Sequence, residues 1–121
     1  MVKILIIGSM KFFDKFLVLQ KDLESRGFEV RIPRPSELYG HELDIKVAAN
    51  NDFISDLNWC DSVLIANYED SSRERNVGVS VLCEVGMAFI SMKKIFILHA
   101  IPEFCVDEFR AFNLVSKKSP S

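Results

Sequence analysis

The pattern of apolar and polar positions divides the chain into alternating strands and helices. Val2-Lys3-Ile4-Leu5-Ile6-Ile7 is a β-branched run ended by Gly8-Ser9, the mark of a buried strand. From about Lys11 to Arg26, Phe12, Phe16, Leu19 and Leu23 recur at helical spacing, and Gly27 is placed to stop that helix. Phe28 to Ile32 alternates apolar and charged positions and runs into Pro33 and Pro35, which predicts a second strand at a sheet edge.

A loop follows from Pro33 to about Leu43, then a helix from about Asp44 to Trp59. Ser62-Val63-Leu64-Ile65-Ala66 carries no charge and predicts a third strand. Asn67 to Arg75 is polar and reads as a surface loop, Val77 to Met92 as a helix, and Ile95 to Leu98 as a fourth strand. The pattern closes with a short helix around Glu103 to Phe112, an edge strand over Asn113 to Val115, and a frayed end from Lys117 to Ser121.

The first, third and fourth strands are near-continuous apolar runs, the pattern of strands covered on both faces. With right-handed crossovers, this predicts an α/β fold. The expected architecture is a small flavodoxin-like or Rossmann-like doubly wound parallel sheet of four to five strands, in the order 2-1-3-4 with the closing strand as a fifth. At 121 residues, with no repeat, linker or low-complexity segment, one domain over residues 1–121 is expected.

Charge and cysteine content narrow the function. The net charge is -2, and lysines and arginines are spread along the chain, so no groove for nucleic acid is expected. Cys60, Cys83 and Cys105 are odd in number and lack metal-ligand spacing, which predicts reduced thiols, no metal and a cytoplasmic location. Nothing resembles a signal peptide. The apolar stretch Val77 to Met92 is too short to span a membrane and contains Glu84.

Open parallel sheets bind ligands at the carboxyl ends of their strands, where the strand order reverses. Here that point lies between strands 1 and 3, and it gathers Gly8-Ser9-Met10-Lys11, Asn67-Tyr68-Glu69-Asp70 and Asn76-Val77-Gly78. Gly8-Ser9 is suited to a phosphate, and Ser9 is equally suited to a plain N-cap. No G-x-G-x-x-G or Walker A loop follows strand 1, so no dinucleotide or other cofactor is expected.

Glu84 is the informative residue. It is the one acid in Val77 to Ile90, a segment apolar nearly all round and so expected to be largely enclosed by protein. A buried carboxylate needs a partner, a raised pKa or a cavity. Gly86 and Ala88 would keep the helix slim beside a ligand. Two readings stand at this point: a reactive acid in a pocket, or a structural acid bonded to its surroundings.

The other candidates read as structure. His41 and His99 are each alone, and neither a catalytic triad nor a metal cluster assembles around them. Asp61 falls at the amino end of the sheet and reads as a turn residue, Asp52 and Asp56 as solvent-facing, and Trp59 as core. Arg73 and Arg75 read as solvated loop charges.

Several segments, taken in order, resemble nucleoside 2-deoxyribosyltransferase-like proteins. They are Lys3 to Phe12, Gly27 to Val30, Cys60 to Tyr68, Asn76-Val77-Gly78, Glu84-Val85-Gly86-Met87-Ala88, Lys94 to Leu98 and Ile101-Pro102-Glu103. The resemblance implies cleavage at the N-glycosidic bond of a deoxynucleoside or its monophosphate, with Glu84 as the nucleophile. It also implies that Ser9, Asn67, Asn76 and Gly78 line the substrate pocket, to which the loops at the switch point add Gly8 and Asp70, and that the chain forms a homo-oligomer. Such enzymes carry further pocket acids, for which Glu69, Asp70 and Asp52 are the candidates. The alternative function is a nucleotide-binding or regulatory module of the same fold without catalysis.

Overall fold

A computed structural model describes residues 1–34, 42–69 and 77–112. Four strands, β1 (Lys3–Ile7), β2 (Glu29–Arg31), β3 (Ser62–Ile65) and β4 (Lys94–Ile97), form one sheet in the order β2-β1-β3-β4. All three pairings are parallel. Four helices flank the sheet: α1 (Phe13–Ser25), α2 (Glu42–Trp59), α3 (Val79–Ile90) and α4 (Val106–Ala111). This is the α/β architecture and strand order that the apolar pattern predicts. The fifth strand over Asn113 to Val115 lies outside the described residues.

The sheet divides the core into two layers. On one face Ile6, Val30 and Ala66 pack against Phe12 and Phe16, with Leu19 and Leu23 beside them, so the apolar stripe of α1 sits on the sheet as its spacing requires. On the other face Leu5, Ile7, Val63 and Ile65 meet Phe53 and Leu57 of α2, Val81, Val85 and Ala88 of α3, and Phe109 of α4. Odd and even positions of β1 thus serve opposite layers, as strand alternation demands.

Local chemistry sets the element ends. Met10–Phe12 forms a 3-10 turn before α1, so the first helix starts later than the pattern implies. Gly27 adopts φ +98 after α1. The Gly27 amide donates to Glu24 O (3.0 Å) and the Phe28 amide to Leu23 O (3.2 Å), closing the helix in a left-handed cap. Gly8 serves a close approach instead: a Cβ there would sit 2.8 Å from both Ala66 O and the Phe16 ring. At that point the Ala66 amide donates to Ile7 O (2.8 Å), holding the tips of β1 and β3 together.

Two expectations about coverage are corrected. α3 is not enclosed: only Val81, Val85 and Ala88 are buried, while Val79 and Ile90 are each 78% exposed. An outer-layer helix presents one stripe to the sheet however apolar its remaining positions are. β4 is likewise covered on one face only, with Ile97 buried and Phe96 44% exposed. It is an edge strand among the described residues, and α1 lies over the other side of the sheet.

Candidate active site

The switch in strand order between β1 and β3 opens a cleft of about 460 Å³ at the carboxyl end of β1. One wall is the β1 tip with Gly8, Ser9 and Met10. The second is the first turns of α3 with Gly78, Ser80 and Glu84, and the third is α2 with Asn50, Asp52 and Asp56. Pro33 and Arg34, just after β2, complete it. Most of the lining is apolar or backbone, and the charged groups converge from three separate elements, the usual construction of a small-molecule site.

Glu84 lies one turn after Ser80 on the cleft side of α3. Among the described residues its carboxyl has no hydrogen-bond or ion-pair partner. Burial pushes its pKa up from the ordinary 4.5 to about 7, because the charged form loses its hydration. At neutral pH the group is therefore divided between acid and carboxylate. The expected room beside it does not come from the small helix residues. Gly86 faces open space, and Ala88 is fully buried against the sheet.

The same cleft is bordered by a charged cluster built on Asp52 and Asp56, the two acids expected to face solvent. Asp56 is only 3% exposed and accepts from Arg31 Nη1 at 3.0 Å. Arg34 Nη1 lies 3.6 Å from the other Asp56 oxygen and 3.3 Å from Asp52 Oδ2. Two guanidinium groups thus neutralise one buried carboxylate, and the second of them also holds Asp52 at the cleft wall. The Arg31 guanidinium also stacks 4.3 Å from the centre of the Trp59 ring, which is half-buried rather than core. The overlooked signal was spacing: Asp52 and Asp56 are one helical turn apart, on the same side as the core residue Phe53.

The remaining site expectations divide. Gly8, Ser9 and Gly78 come together with Glu84 on the cleft. Ser9 stands before the 3-10 turn without a side-chain capping bond, and Gly78 occupies the N-cap of α3. Asn67 is elsewhere. It is fully buried, its Nδ2 donates to the carbonyls of His99 (3.3 Å) and Ala100 (3.0 Å), and its Oδ1 accepts from the His99 amide (2.9 Å). Its polar atoms brace the turn after β4, so it acts as a structural clamp between β3 and β4. Asp70 and Asn76 lie outside the described residues, as do His41, Arg73 and Arg75.

Among the described residues no group of His, Cys, Asp and Glu forms a metal site, and no helix is long and apolar enough to cross a membrane. Cys60, Cys83 and Cys105 are free thiols, and burial pushes Cys60 and Cys105 upward in pKa, toward the protonated form. Asp61 ties the amino ends of β1 and β3 together. It accepts from the Lys3 amide through Oδ2 and donates its own amide to Lys3 O, both at 2.9 Å. No protein-family model matches the chain, and no curated protein matches it.

Proposed function

We propose that this protein cleaves or transfers the N-glycosidic bond of a deoxynucleoside or its 5′-monophosphate, with Glu84 as the nucleophile. The observation that carries this reading is a Glu84 carboxyl on the cleft at the strand-order switch, without a partner among the described residues. A Glu84 oxygen attacks the anomeric carbon as the bond to the base breaks, and the base departs with that electron pair. Water or a second base then attacks the same carbon and releases the Glu84 ester. The partial desolvation of the Glu84 carboxylate strengthens its attraction to a cation-like sugar.

Asp52 is the second acid of this reading. It shares the cleft with Glu84, and Arg34 holds it in place, so it is suited to bond the sugar or the departing base. The first turn of α3 and the β1 tip supply backbone N–H groups for the rest of the ligand. In this reading the protein works on a cytoplasmic nucleoside or nucleotide pool as a homo-oligomer.

The test is chromatographic. A mixture of deoxynucleosides and their 5′-monophosphates incubated with the protein should release free base, and Glu84→Ala should abolish the release. Undiminished release by that variant would remove Glu84 from the chemistry. Thermal stabilisation by these ligands without any base release would favour a binding module instead.

A further inference from the structure

The charged cluster beside the cleft contains two arginines that are held in different ways. Arg31 belongs to β2, donates to Asp56 Oδ1 at 3.0 Å, and stacks 4.3 Å from the centre of the Trp59 ring. It is absent from the cleft lining. Arg34 follows Pro33 beyond the end of β2 and does border the cleft. Its nearest approach to both acids is through one nitrogen, Nη1, which lies 3.3 Å from Asp52 and 3.6 Å from Asp56. Both distances exceed the roughly 2.7–2.9 Å of a close charge-assisted hydrogen bond.

Losing either arginine has a different consequence. Asp56 is almost fully buried, so it requires a cation, and Arg31 alone meets that need with a direct bond. The Asp52 side chain is 37% exposed, so water can take the place of a cation beside it. Arg34 can therefore turn from the two acids without leaving a buried charge unpaired. Its own side chain is 46% exposed, and a guanidinium presents its N–H donors as a planar fork. Approach through a single nitrogen leaves part of that fork for another acceptor. A phosphate, more highly charged and with several oxygens, fills the fork better than Asp52 does.

We propose that Arg34 binds the phosphate of a phosphorylated sugar in this cleft, exchanging Asp52 for it. The inference rests on the N-glycosidic reading above and decides between its two substrate forms, in favour of the 5′-monophosphate. Arg34 moves its donors from a carboxylate to the phosphate, while Asp56 stays neutralised by Arg31. Asp52, released from Arg34, is left to accept hydrogen bonds from the sugar or the base. The attraction between Asp52 and Arg34 opposes the phosphate, so Asp52 sets how strongly the cleft prefers the monophosphate.

Isothermal titration of the full chain carrying Glu84→Gln, which removes the proposed nucleophile and so preserves the ligand, tests this. Each common deoxynucleoside and its 5′-monophosphate is titrated in turn. At least one monophosphate should bind about tenfold or more tightly than its parent deoxynucleoside. Adding Arg34→Gln should bring the two within about twofold of each other, with the circular dichroism spectrum unchanged because Arg31 still holds Asp56. Asp52→Asn should act in the opposite sense and widen the preference by about threefold, an increase that a purely structural Arg34 would not give. Equal binding of the two forms, no binding of either, or a preference that survives Arg34→Gln would overturn the proposal. So would an unchanged or narrower preference in Asp52→Asn. Base release by the wild-type chain separates this from the reaction itself. Release without a monophosphate preference removes Arg34 and leaves the reaction, whereas an Arg34-dependent preference without release leaves Arg34 and removes the reaction.

Discussion

α3 ends differently at its two extremities, although its composition is apolar throughout. At the first, Gly78, Ser80 and Glu84 border a cleft made by the strand-order switch. At the second, Phe89, Ile90 and the following Met92 stand exposed beside β4, an edge strand among the described residues. Between them, Val81, Val85 and Ala88 do the ordinary work of covering the sheet. The lesson is that an all-round apolar helix need not be an enclosed one. Once one stripe is on the sheet, the remaining apolar positions are left exposed, and the isolated acid stands on the cleft.

The comparison breaks most visibly at Glu84. Glu84→Ala should lower base release by about a thousandfold or more, the usual scale for a lost nucleophile. Phe96→Glu, at the other end, should leave the rate per chain within about twofold, since it touches nothing in the cleft. A large loss in the second variant would show that the two ends are coupled.

Gly8→Ala comes next. Its Cβ would collide with the Ala66 carbonyl, a backbone atom that cannot rotate away. The substitution should cost about 2–3 kcal/mol in urea unfolding by spreading the tips of β1 and β3. An unchanged midpoint would mean that the close approach in this part of the cleft is relaxed.

Protonation separates the two regions at a similar scale. The folded chain holds the Glu84 carboxyl at about 7 against an ordinary 4.5, so it binds that proton more tightly than the unfolded chain. Stability from this group is therefore complete below about pH 4.5 and is lost as the pH rises through 7. The loss should be at most about 3 kcal/mol, and Glu84→Gln should remove that pH dependence in denaturant titrations. Under the proposed reaction, turnover should rise over the same interval, as the nucleophilic carboxylate forms.

The smallest effect belongs to the middle of the helix. Gly86 lies in the interior of α3, and a Cβ there meets nothing within 4 Å. Gly86→Ala should raise stability by about 0.5–1 kcal/mol and leave base release unchanged, because the residue lies outside the cleft lining. A drop in base release would mean that the ligand reaches past Glu84.

The sheet order was legible because β1 and β3 are apolar runs, β2 alternates, and connection handedness leaves few topologies. Glu84 was legible because a single acid among apolar neighbours stands out by contrast. Asp56 was not. Its spacing puts it on the side of Phe53, but its partners are not local: only the fold brings Arg31 and Arg34 against it. Asn67 misled for the converse reason. An asparagine at a strand's carboxyl end suits ligand binding and turn bracing equally, and the choice rests on His99 and Ala100, more than thirty residues away.

The central claim is that Glu84 forms a bond to the sugar. Intact-mass analysis of the protein, acid-quenched during incubation with the deoxynucleoside and deoxynucleotide mixture, measures it directly. A mass increase equal to the sugar or sugar phosphate, mapped to the peptide holding Glu84 and absent from Glu84→Ala, is the expected result. Base release by the wild-type chain with no adduct on that peptide, and with the alanine variant equally active, would contradict it.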